Sequence, residues 1–171
     1  MEPVEEERIR AVEDAFVNDF MSAMLLTGCR PSELRTLQRS EVRERIVILA
    51  SKGQGEGHIP IRPELKTILD RRTGDYPFGD EQGRMLSRER LCERWRDVCK
   101  RANVVNLHLH DLRAEFGSRL CESDVPLHLV RDAFGHSNVS MTSTYLRTRT
   151  DSLDAACAKL GERKLRLVQS N

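Results

Sequence analysis

The sequence predicts a mainly α-helical domain carrying one small antiparallel β-sheet, an α+β arrangement. Three observations predict it. Apolar residues recur at three- and four-residue steps through most of the 171 residues. One pair of short extended stretches flanks a glycine-rich tip in the amino-terminal third. No internal repeat, low-complexity tract or linker interrupts the pattern, so residues 1–171 read as a single domain, large enough to bury a core.

The elements follow in order. Ile9, Val12, Phe16, Phe20 and Met24 keep helical spacing, with acids early, and predict a helix from Pro3 to Met24 that stops at Thr27-Gly28. Pro31 suits a first helical position, so a second helix with Leu34 and Leu37 on its apolar side starts directly after Arg30. Arg45 to Ala50 and His58 to Ile61 read as the two strands of a hairpin, with Ser51 to Gly57 as its glycine-rich tip. Pro63 to Arg72 is helical by pattern, and Thr73 to Gly83 is rich in turn residues. Ser87 caps a long helix, Arg88 to Ala102, whose buried stripe is Leu91, Trp95, Val98 and Cys99 or Ala102. Leu112, Phe116 and Leu120 mark a helix from Leu109 to Cys121, and Pro126 opens a shorter one that ends at Phe134-Gly135. Two further helices are expected, from about Val139 to Arg147 and from Ser152 to about Leu167. The catalytic core is thus expected over 1–150 and a helical tail over 151–171.

Composition narrows the function. Hydrophobic residues make up 39% and charged residues 32%, with 28 Lys+Arg against 27 Asp+Glu, so a bound anion must be held by local clusters. No apolar run reaches the ~18 residues of a membrane span, and Glu2, Glu5, Glu6 and Glu7 stand where a secretory signal would be basic, which predicts a cytoplasmic protein. Five cysteines without a C-x-x-C pair argue against both a disulfide framework and a thiolate zinc site.

Arg30 at a helix start, Lys52 on a hairpin tip, His110 and Arg113 three residues apart on one helix face, and His136 after a glycine are five cations or donors. Tyr145 follows nine residues after His136. Two arginines, a lysine and two imidazoles are the equipment for neutralising a phosphodiester as charge grows toward its transition state, and such a site needs no metal. Each residue also has an ordinary reading when taken alone: Arg30 and Lys52 as surface charges, His110 and Arg113 as a solvated face, Tyr145 as a core-edge tyrosine. An arginine at a helix start opposes the helix dipole unless an anion or Glu33 compensates, which favours a functional reading for Arg30. His108, His110 and Asp111 could in principle ligate zinc or iron, but no distant partner with ligand spacing completes the set.

Jointly these residues resemble a known family. Thr27-Gly28-Cys29-Arg30-Pro31-Ser32-Glu33-Leu34 is similar to the T-G-x-R-x-x-E-L box of the tyrosine recombinases, or phage integrases. His110-Asp111-Leu112-Arg113 resembles their H-x-L-R box, and Phe134-Gly135-His136 with Tyr145 resembles their L-G-H…Y box. Lys52 corresponds to their hairpin lysine. The boxes stand in the family's order from Thr27 to Tyr145. The resemblance implies the catalytic-domain fold of DNA breaking-rejoining enzymes, working without metal, nucleotide or other cofactor.

It further implies that Tyr145 attacks a phosphodiester of double-stranded DNA, forming a 3′-phosphotyrosyl link and releasing a 5′-hydroxyl. Arg30 and Arg113 would clamp the non-bridging oxygens and His136 would donate to the phosphate. Lys52 would protonate the leaving oxygen, and His110 would assist proton transfer at Tyr145. Glu33 would orient Arg30. Ser87, Arg88, Arg90 and Arg94, at and after a helix start, are candidate DNA contacts, with a salt-bridged solvent face as the alternative. The tail would dock on a neighbouring protomer of a tetrameric synapse or fold back on its own domain.

The chain departs from the family pattern at Ala114, where His or Lys is frequent and one possible DNA contact is missing, and at Phe134, where Leu is frequent, a packing swap not expected to matter. The amino-terminal helical domain that clamps DNA in such recombinases is expected to be absent. The expected function is a site-specific recombinase or integrase catalytic domain of a prokaryotic mobile element, acting on nucleoid DNA. A DNA-binding relative that no longer cuts and a type IB topoisomerase-like enzyme are the alternatives.

Overall fold

The computed structural model describes residues 1–43, 46–51, 55–123, 125, 126, 129 and 134. Lys52, Gly135, His136, Tyr145 and the helices expected after Phe134 lie outside the described residues.

The first expected helix is two helices. α1 runs Pro3–Arg10 and α2 runs Ala15–Thr27. Between them Glu13 takes φ 59°, which no helix tolerates, and the Asp14 carboxylate accepts from Val17 N at 2.9 Å as the cap of α2. The carbonyls freed at the break are met by side chains: Asn18 Nδ2 donates to Arg10 O and Arg101 Nη2 to Val12 O, both at 3.2 Å.

α2 is the centre of the core. Phe16, Val17, Phe20, Met21, Ala23 and Met24 are all buried, because this helix packs against α3 (Pro31–Thr36), α4 (Pro63–Arg71), α5 (Arg88–Arg101) and α6 (Leu109–Glu122). It ends where the spacing predicts, with Gly28 at φ 64° donating its N–H to Met24 O at 2.8 Å. Arg30 is the cap residue of α3, and a 3-10 turn follows at Arg39–Glu41.

β1 (Ile46–Ser51) and β2 (Gly55–Pro60) pair antiparallel from Ile46↔Pro60 to Ser51↔Gly55. Pairing therefore extends through Gly55 to Gly57, which the sequence reading placed in the tip. α4 (Pro63–Arg71) buries Leu65, Ile68 and Leu69. The turn-rich stretch after it closes on itself: a Cβ at Gly74 would stand 2.4 Å from Gly83 Cα, so two glycines must meet there. That closure seats Phe78 edge-on against Phe20, with ring centroids 5.6 Å apart.

α5 (Arg88–Arg101) is capped by Ser87 Oγ, which accepts from Arg90 N at 3.2 Å. Its stripe of Leu91, Trp95, Val98, Cys99 and Ala102 is buried, and the Trp95 indole N–H donates to Leu107 O at 3.0 Å. α6 (Leu109–Glu122) lies along α2. Beyond it Leu129 and Phe134 are helical, and Leu129 N donates to Pro126 O at 2.9 Å.

Buried charge is paired. Asp19 sits in the core and binds Arg71 and Arg72, while Arg72 and Arg94 each lie over the Phe16 ring, at 5.0 and 4.9 Å. No helix among the described residues is long and apolar enough to cross a membrane.

Candidate active site

The turn from α2 into α3 presents the first box. Gly28 ends α2, Cys29 is buried behind it, and Arg30 caps α3 with its side chain 38% exposed. Glu33 holds Arg30 twice: its Oε2 accepts from Arg30 N at 2.8 Å and its Oε1 from Arg30 Nη1 at 2.6 Å. One carboxylate thereby satisfies an orphan amide of the helix start and offsets the cation that the dipole disfavours. Burial pushes the Cys29 thiol up to about 12; its hydrogen bond with Thr27 opposes that, and it also feels Glu33 and Arg113. It is a packed, protonated thiol.

Arg113 reaches the same turn from α6. It is 4% exposed, with Nη1 donating to Gly28 O at 2.7 Å and Nη2 to Phe134 O at 2.8 Å. A guanidinium carries five donors in a rigid fork, so two aimed at backbone carbonyls of separate segments set its orientation. The structure thus brings the Gly28–Arg30 turn, Arg113 and the segment containing Phe134 together.

His110 lies on the first turn of α6 and is exposed. Its neighbours His108 and Asp111 are joined to each other, Asp111 Oδ2 accepting from His108 N at 2.7 Å and lying 3.3 Å from Nδ1. Among the described residues no three His, Cys, Asp or Glu side chains converge.

The start of α3, one face of α5 and residues 104–110 line a cleft of about 830 Å3 that holds both Arg30 and His110. Its floor is apolar, including Leu91, Trp95 and Val104, and its cations are Arg30, Arg35, Arg88, Arg96 and Lys100. Among the described residues, no Asp or Glu lines it, although Glu33 pairs with Arg30 beside it. In a chain whose charges nearly cancel, this gathers five cations on one cleft, where their positive potentials add.

The expected DNA contacts divide. Arg88 lines the cleft. Ser87 caps α5, and Arg90 is exposed. Arg94 faces the other way, with Nε 2.8 Å from Asp14 Oδ2. The Asp14 carboxyl is held below its ordinary range: burial opposes this, but the Arg94 hydrogen bond and the Val17 amide prevail. Sequence reasoning missed Arg35, Arg96 and Lys100. The spacing of Arg88, Cys92, Arg96 and Lys100 by four was the available signal, because it sets a cationic row beside the buried stripe of α5. It also missed Phe116, which only the fold places against Gly28.

Three comparisons bear on this site. The profile described as the phage integrase family matches residues 4–151. The tyrosine recombinase XerA of Pyrococcus furiosus is 28% identical over 153 residues, covering 82% of this chain and 54% of the relative. The chain spans about half the length of the curated relatives it matches. Among solved structures, a Tn1549 transposon integrase in complex with a circular intermediate DNA superposes with a TM-score of 0.78 at 20% identity, covering 94% of this chain and 65% of that one. The catalytic domain of bacteriophage HP1 integrase superposes with a TM-score of 0.69 at 22% identity, covering 92% of each. These likenesses show the same mainly helical fold.

Proposed function

The chain belongs to the phage integrase family, and from that premise we propose that it is a tyrosine recombinase catalytic domain that cuts and rejoins double-stranded DNA. The observation that supports this most is the cation-lined cleft that joins Arg30 to His110 and continues along α5 to Arg88, Arg96 and Lys100. Phosphates of one strand fit that row of cations, while Arg30 and Arg113 take the non-bridging oxygens of the scissile phosphate.

In this reading Tyr145 Oη attacks phosphorus, the bond to the 5′-oxygen breaks, and Lys52 supplies the proton to that oxygen. A phenol has a pKa near 10, so the cationic surround and His110 assist its loss of a proton, and His136 donates to the phosphate. The phosphotyrosyl bond replaces the broken one, so rejoining runs through the same residues without ATP. Glu33 keeps Arg30 aimed. The hairpin of β1 and β2 is read as the family's small sheet, presenting Lys52. Residues 151–171 dock on a neighbouring copy in a tetrameric synapse, and the chemistry takes place on nucleoid DNA in a prokaryotic cytoplasm.

The test is a duplex nicked just downstream of the scissile phosphate, so that the short 5′-hydroxyl fragment diffuses away and covalent complex accumulates. Wild-type protein is expected to give a covalent band on denaturing gels in the presence of EDTA. Tyr145→Phe is expected to give none while binding the same duplex. A covalent band from Tyr145→Phe would remove Tyr145 as the nucleophile, and no band from wild type that binds DNA would favour a binding module.

A further inference from the structure

Gly28, Phe116 and Phe134 form a closed ring of contacts with the buried Arg113 guanidinium. A Cβ at Gly28 would stand 2.2 Å from Phe116 Cδ1 and 2.6 Å from Cε1, so the Phe116 ring lies directly on the Gly28 backbone. Phe116 meets Phe134 edge to face, with ring centroids 5.7 Å apart at 61°. The Phe134 ring lies under Arg113 Cζ, 4.5 Å from the centroid, and its own carbonyl accepts from Nη2 at 2.8 Å. Arg113 Nη1 then returns to the carbonyl of Gly28 at 2.7 Å.

We propose that Phe134, backed by Phe116, is a positioning residue for Arg113. Hydrogen bonds to two carbonyls fix two N–H directions of the fork. The tilt of its plane about the line joining them is set by what lies against the flat face of the fork. The Phe134 ring lies against that face beneath Cζ, where the ring quadrupole attracts the cation most strongly because water is excluded, and Phe134 is 3% exposed. Phe116 in turn holds the Phe134 ring, and it can do so only because Gly28 has no side chain. The guanidinium is therefore in place before substrate arrives and contributes to the transition state without reorganising. Leucine at 134 would supply apolar volume without a π face, which is the sense in which the departure at this position matters.

This proposal rests on the reading that Arg113 meets the scissile phosphate, so its test has one readout in free protein and one in cleavage. The variants are Phe134→Leu and a fluorinated phenylalanine at position 134, which keeps the ring's shape and drains its π face; thermal melts establish that each is folded. In 15N spectra of the free protein, wild-type Arg113 guanidinium protons are expected to carry an upfield ring-current shift and to exchange slowly. Phe134→Leu is expected to lose the shift, and both variants are expected to speed the exchange. With nicked duplex, both variants are expected to lower the cleavage rate at saturating DNA by about tenfold, with unchanged affinity. Folded variants whose Arg113 exchange and cleavage match wild type would overturn the proposal. If wild type forms no covalent complex, the proposed activity fails, and the Arg113 exchange alone then decides the positioning claim.

Discussion

Arg30 and Arg113 carry the same guanidinium and are held in opposite ways. Arg30 takes its partner from its own helix, three residues on, and keeps its side chain 38% exposed. Arg113 is buried, and its two carbonyl partners come from 85 residues before it and 21 residues after it. The first arrangement is a local ion pair in contact with water, individually weak and screened by salt. The second is over-determined by the fold, because losing it strands buried carbonyls. The guanidinium of Arg30 stands at a cleft open to solvent, whereas that of Arg113 is enclosed by packing.

The sharpest way to break the comparison is Arg113→Ala. Cleavage of nicked duplex is expected to fall at least about a hundredfold, and urea denaturation is expected to show a loss of about 3 kcal/mol as two buried carbonyls lose their donor. Unchanged stability would mean that the Arg113 region is as open as the Arg30 cleft. Next is Gly28→Ala, in which the new Cβ must displace Phe116 and the backbone must keep φ 64°. An expected loss of about 2–4 kcal/mol, read by the same denaturation, follows from strain and overpacking together.

On the open side, Glu33→Gln keeps the amide contact at the helix start but removes the charge that aims Arg30. About tenfold in cleavage rate, equivalent to ~1.4 kcal/mol, is expected, with a stability change below about 1 kcal/mol. A stability loss as large as that of Arg113→Ala would abolish the distinction between the two arginines.

The last contrast is silent at neutral pH. The Cys29 thiol, raised by burial to about 12 from an ordinary 9.0, keeps its proton in the folded state while the unfolded chain releases it. Its contribution to stability is therefore complete below pH 9 and is lost as pH rises toward 12. Cys99, raised by burial to about 11, adds to the same slope. Cys29→Ala should flatten, without abolishing, the alkaline fall of unfolding free energy. At pH 8 in native protein a maleimide should label Cys92, half-buried in the cleft, ahead of Cys29.

Much of the fold was legible wherever one element's own residues settle it. The stop of α2 at Gly28, the start of α3 at Pro31 and the buried stripe of α5 are matters of spacing and caps. The break between α1 and α2 was hidden because Ile9, Val12 and Phe16 keep helical spacing straight across it; the positive φ of Glu13 and the Asp14 cap interrupt the backbone without interrupting the pattern. Arg94 shows the converse. Its place on α5 suggested DNA or a neighbouring acid on the same helix, and only packing brought it to Asp14 and Phe16, 80 and 78 residues away in sequence.

By itself the sequence determined the family boxes and the Arg30–Glu33 pair, since contacts within one or two helical turns are written in residue spacing. Tertiary structure alone decided that Arg113 is buried on the carbonyls of Gly28 and Phe134, and that Arg30, Arg35 and the α5 cations line one cleft. Those partners belong to segments that become neighbours only once α6 packs against α2 and excludes water between them.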